Sequence, residues 1–143
     1  MKTVIGLLSI AVLIFIADVS FGEENPVVTA VSPIYPDVAY RARYAGTRKV
    51  EVEVNNYGEV TNAHALGMRC PPLDDPSEKA ARKWKFTTKA GELSIRKYVI
   101  TFTFKMMPYN TKEDELINIY NAPFEMEVRI KQGEDQMLIL DAR

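Results

Sequence analysis

One cysteine, one histidine and one tryptophan are all that this 143-residue chain has of those types. A lone Cys70 rules out an intramolecular disulfide framework, so the fold must rest on an apolar core. No His or carboxylate stands beside Cys70 in sequence to activate it, and with Pro71 and Pro72 following it reads as a small loop or buried thiol rather than a reactive one. His64 has no Cys or carboxylate at metal-ligand spacing and reads as a surface or packed side chain. Nucleophile elbow, phosphate loop and zinc spacing are all missing, and Asp74 and Asp75 are accounted for as helix caps. The expectation is therefore no enzyme, no metal and no cofactor. An excess of either charge is also missing: 18 Lys+Arg face 19 Asp+Glu, for a net charge of −1. A basic surface able to displace counterions from phosphates is thus absent, and nucleic acid is excluded as a partner. With 47% hydrophobic and 26% charged residues, the composition is that of one ordinary globular domain.

Long hydrophobic runs are scarce too. The exception is residues 4–17, preceded by Lys2 and followed by small residues at Ser20 and Gly22. This three-part pattern predicts a secretory signal peptide over residues 1–22, with cleavage after Gly22. The run is shorter than the roughly 20 residues that span a bilayer, which ranks a retained inner-membrane anchor as the alternative. In that alternative alone would the protein touch a membrane. Cleavage would leave about 120 residues, enough for an apolar core.

Beyond a lead-in over residues 23–32, Pro33 and Pro36 forbid regular helix or central strand. Residues 37–46 then read as a helix of about two and a half turns, started by Pro36 or Asp37 and stopped by Gly46. From Arg48 the period changes to two: Val50, Val52 and Val54 alternate with Lys49, Glu51 and Glu53. Asn55-Asn56-Tyr57-Gly58 supplies a turn, and residues 59–66 return as the antiparallel partner. A second helix is expected from Asp75 as cap and Pro76 at its first position, with Glu78 completing a capping box. Ser77, Ala80, Ala81 and Trp84 share one side of it, and Lys79, Arg82, Lys83 and Lys85 form a solvated opposite face. After a turn over residues 89–92, residues 95–105 form a long strand with Tyr98, Ile100, Phe102 and Phe104 on one face.

The predicted class is α+β: two helices packed on one face of a small antiparallel sheet, with an extra C-terminal hairpin. That hairpin lies in an extension over residues 108–143. It comprises a short helix over 114–120, a strand over 124–130, a turn at 132–135 and a last strand over 137–140. Residues 33–105 carry net positive charge and the tail net negative charge, which favours the tail folding onto the body.

Pro33-Ile34-Tyr35-Pro36 precedes an Ala-containing helix, Gly46 stands twelve residues ahead of Gly58, and Leu73-Asp74 stands eleven ahead of Trp84-Lys85-Phe86. In this order and spacing they resemble the TonB C-terminal domain, placed here at residues 33–107. The resemblance implies a periplasmic module that grips outer-membrane receptors, or another envelope protein, in TonB-dependent transport. It implies that a receptor peptide adds as a strand to the sheet edge at residues 95–104. Its partner-binding residues would be Ile95, Lys97, Val99, Thr101 and Thr103, with Tyr35 and Pro36 at the family's Tyr-Pro position. Edge N–H and C=O groups would give affinity and neighbouring side chains selectivity.

The chain departs from that pattern in three places. Arg48 stands where the family usually has an apolar residue, residues 67–72 replace a small Ser-rich loop, and the lead-in spans at most about 35 Å against the family's long spacer. The tail also opens a second reading, a self-capped structural or assembly protein of the envelope whose hairpin closes the edge or swaps between two copies in a homodimer.

Overall fold

The computed structural model describes residues 24–88, 91 and 93–133. The expected signal peptide over 1–22 and last strand over 137–140 lie outside the described residues, as does part of the turn at 89–92.

Residues 27–54 supply the first strand, the first helix and the first long strand. β1 (Val27–Thr29) comes from the lead-in, and α1 (Asp37–Arg41) follows Pro36. This helix is shorter than predicted, because Arg43 takes a left-handed backbone (φ 57°) and Tyr44 N–H closes back on the Ala39 carbonyl at 2.8 Å. Gly46 therefore opens the next strand instead of ending the helix. β2 (Gly46–Val54) buries Val50, Val52 and Val54, as its alternation requires.

β3 (Val60–Ala65) returns antiparallel through a turn fastened by Asn55, whose side-chain oxygen accepts from the N–H groups of Tyr57 (3.0 Å) and Glu59 (2.9 Å). At Gly58, with φ at +79°, a Cβ would stand 2.0 Å from the Phe86 carbonyl oxygen, so the turn approaches the next element at a distance only glycine permits.

α2 (Pro71–Ala81) starts four residues before the predicted cap. Pro71 and Pro72 occupy its first positions, where a missing N–H costs nothing. The predicted capping box at Asp75 and Glu78 is replaced by Asp74, which accepts the Cys70 N–H at 2.6 Å. Asp74 also receives Arg48 Nε at 2.6 Å, and Arg48 Nη2 donates to the Met68 carbonyl at 2.7 Å. The expected small-residue face holds: Leu73, Ser77, Ala80 and Ala81 are buried, and the Trp84 ring just beyond fills the core against Phe102.

β4 (Lys85–Phe86) pairs with β1, and β5 (Arg96–Met107) lies antiparallel to β2, covering it from Gly46 to Val54. In the tail, a 3₁₀ turn (Glu113–Leu116) and β6 (Ile119–Asn121) stand where a single helix over 114–120 is expected. β7 (Glu125–Lys131) follows the predicted alternation, with Met126 and Val128 buried. Its hairpin partner among the described residues is β6. The sheet order is β3-β2-β5-β7-β6. It is antiparallel except between β5 and β7, which run parallel, a correction to the all-antiparallel expectation. The chain folds back after β5, descends through β6 and climbs again as β7, inserted between the two.

The tail does fold onto the body. Lys105 Nζ and Glu127 Oε2 are 2.8 Å apart, and Arg129 Nε reaches Glu127 Oε1 at 2.6 Å. The lead-in is also fixed: the Trp84 indole donates to the Val31 carbonyl at 2.8 Å and Asn118 Nδ2 to Ser32 Oγ at 2.8 Å.

Candidate partner-binding edge

Successive residues of a strand direct their main-chain groups to opposite sides. The Thr101 N–H donates to the Phe124 carbonyl at 2.7 Å, so the odd-numbered residues of β5 address the side away from β2. From Thr101 to Met107 that side is filled by β7, with Thr101 opposite Glu125 and Thr103 opposite Glu127. Pairing stops there. Lys97 and Val99, in step with Thr101, aim their N–H and C=O groups past the end of β7, where no strand pairs with them among the described residues.

The residues singled out in the sequence thus separate into three groups. Ile95 (61% exposed), Lys97 and Val99 (39% exposed) lie at the open stretch. The Lys97 ammonium rests between Glu51 (3.6 Å) and Glu53 (3.5 Å) on the uncovered face of the sheet. Thr101 and Thr103 have their main chain engaged by the protein's own tail. Tyr35 and Pro36 sit elsewhere: Tyr35 meets Phe104 edge-on at 5.3 Å and its hydroxyl donates to the Tyr44 carbonyl, while the Pro36 carbonyl accepts the Tyr40 N–H at 2.9 Å. Burial pushes the Tyr35 phenol above its ordinary pKa. Five residues of strand, about 17 Å, separate Phe104 from Val99, so the Tyr-Pro pair and the open stretch are distinct places on β5.

The other side of the sheet is guarded differently. On the outer side of β3, Glu78 Oε1 accepts the Ala65 N–H at 2.8 Å and Arg82 Nη2 donates to the Ala63 carbonyl at 3.2 Å. Glu78 of α2 and Arg82 at its C-cap thereby occupy main-chain groups that would otherwise invite another strand.

Sequence reasoning missed a cavity of about 760 Å³ at the start of β7. Its lining includes Pro26 from the lead-in, Thr87 and Thr88 after β4, Tyr98 of β5, and Pro123 and Phe124 from the β6–β7 turn. Tyr98 stacks on Phe86 at 5.0 Å and touches Phe124 at 5.1 Å. No local signal marks this space, because it is bounded by segments about 100 residues apart in sequence that meet only in the fold.

The family model described as Gram-negative bacterial TonB protein C-terminal matches residues 31–106. The chain belongs to the TonB C-terminal family. Comparison with curated proteins returned no match. TonB C-terminal domains are protein-interaction modules of the Gram-negative envelope. The matched stretch runs from Val31 to Met106, the last residue but one of β5, so β6, β7 and the beginning of the lead-in lie outside the matched unit. Among the described residues no helix is long and apolar enough to cross a membrane.

Proposed function

We propose that this chain is a periplasmic TonB-like protein-binding module that takes an extended segment of an outer-membrane receptor, or of another envelope protein, on residues 95–99. Its own tail keeps the rest of the β5 edge closed. The observation that carries this reading is the halt of β7 pairing at Thr101, beyond which the main-chain groups of Lys97 and Val99 point outward. Unpaired strand groups of this kind are the physical basis of strand addition. Tyr35 and Pro36 serve in this reading as packing and helix-start residues that hold the far end of β5. The role in TonB-dependent transport narrows accordingly, since a strand along Thr101 and Thr103 would have to displace β7.

A second reading, a self-capped structural or assembly protein that takes no strand, is favoured by the burial of Met126 and Val128 in the common core. Titration of the ¹⁵N-labelled protein with extended receptor-derived peptides separates the two. Shifts centred on Lys97 and Val99 with β7 undisturbed support the open-stretch module. Silence up to millimolar peptide supports the self-capped protein. Shifts along residues 101–107 with loss of β7 pairing would show the tail to be a removable cover and overturn both.

A further inference from the structure

The open stretch offers only the main-chain groups of Lys97 and Val99, and so short a strand pair is marginal in water without a hydrophobic face to support it. The cavity supplies that face. Tyr98, which lies between the two open residues, forms part of its wall, and the ring of Phe124, whose carbonyl closes the last β7 bond, forms another. A segment lying beside Lys97 and Val99 continues the line of β7, and its alternate side chains fall on the Tyr98 side of the sheet. We infer that the cavity is a side-chain pocket for the added strand, taking a bulky apolar residue, aromatic above all, from an extended peptide paired to Lys97 and Val99. This inference rests on the open-stretch reading above.

The chemistry of the walls sets the class of segment. Pro26, Tyr98, Ala122, Pro123 and Phe124 present apolar and aromatic surface, to which another ring packs by edge and face. Glu24 is the ionisable carboxylate among the lining residues, so it favours a basic or neutral flank over an acidic one. The space suits more than one side chain, in the size range of pockets that enclose drug-sized ligands. Several of its walls come from residues 24–26 and 122–124, outside the matched residues 31–106, so the pocket belongs to this chain's additions to the family unit.

The test uses the full mature chain, ¹⁵N-labelled, and an acetylated, amidated nonapeptide of alternating Thr and Val with a central Phe and a terminal Lys. Three modified peptides accompany it: Phe replaced by Ala, the backbone N-methylated on the strand edge that faces β5, and the terminal Lys replaced by Glu. Expected are slowed amide exchange at Val99, ring-current shifts at Tyr98 and Phe124, and affinity at least tenfold weaker for the Ala peptide. Thr88→Trp, an exposed substitution at the cavity wall, should block the Phe peptide; the peptide-side changes keep the test independent of whether that variant folds. Binding abolished by N-methylation but indifferent to Phe→Ala would overturn the pocket while leaving the open stretch standing. Binding that needs Phe but ignores N-methylation would overturn the paired strand. No binding at millimolar peptide would overturn both.

Discussion

Arg48 and Asp74 form an ion pair inside the fold, Nε to Oδ1 at 2.6 Å, with side chains only 15% and 4% exposed. The pair joins β2 to the first turn of α2, and the same carboxylate holds the Cys70 N–H. Removing one partner leaves an uncompensated buried charge. Arg48→Leu and Asp74→Leu should each lower unfolding free energy by about 3–5 kcal/mol in urea melts. The double variant Arg48→Leu with Asp74→Leu should recover much of that loss, since well-packed apolar replacements of a buried pair are often neutral. Additive losses would show that the two groups are not coupled.

Glu127 carries a pH dependence. Its carboxylate accepts from Lys105 and Arg129, and these hydrogen bonds hold its pKa below the ordinary glutamate range. A depressed folded pKa means that the stabilisation is fully present above the unfolded value of about 4.5 and is lost as pH falls through the lower folded value. Amide exchange at the Thr101, Thr103 and Lys105 N–H groups should therefore accelerate below pH 4.5 relative to β2–β5 amides. Glu127→Gln should flatten that part of the profile, and an unchanged profile would contradict the assignment.

Gly58 and Gly67 both have positive φ, +79° and +84°, yet they should respond unequally to alanine. Gly67→Ala meets open space and should cost about 1 kcal/mol for the left-handed backbone alone. Gly58→Ala drives a Cβ into the Phe86 carbonyl and should cost about 3 kcal/mol or more. Thermal or urea unfolding of the two variants gives the comparison directly; equal losses would mean that the approach of Phe86 is relieved at little cost.

Val128, 2% exposed, tests whether β7 is part of the core or an attached strap. Val128→Ala should cost about 1.5–3 kcal/mol, and it should shift the unfolding midpoint read by Trp84 fluorescence together with that read by circular dichroism. A Trp84 midpoint that stays at its original value while β7 amides lose protection would show the tail to unfold independently.

Much of this architecture was legible because it follows from local rules. The alternation of Val50, Val52 and Val54 and of Ile100, Phe102 and Phe104 fixed which faces are buried, and Asn55 to Gly58 made the turn between β2 and β3. What could not be read depends on partners distant in sequence. Alternation at Met126 and Val128 gives a buried face but neither the direction of β7 nor its neighbour, so its parallel insertion beside β5 was hidden. Asp74 reads as a cap, but it lies inside α2, where it holds the Cys70 N–H, and its bond to Arg48 spans 26 residues. The predicted start of α2 falls late because Pro71 and Pro72 read as loop residues, whereas the first turn of a helix accepts proline freely. Of the edge, Ile95, Lys97 and Val99 come from the family resemblance, while the cavity beside them has no local signal in the sequence.

The anchoring of the lead-in has a mechanical consequence. Val27 and Thr29 are zipped to β4, the Val31 carbonyl holds the Trp84 indole, and Ser32 receives Asn118 from the tail. Tension applied at Asn25 would load the β1–β4 ribbon first and reach the buried Trp84 indole next. The protein is built so that a tug at its front end is felt at its middle.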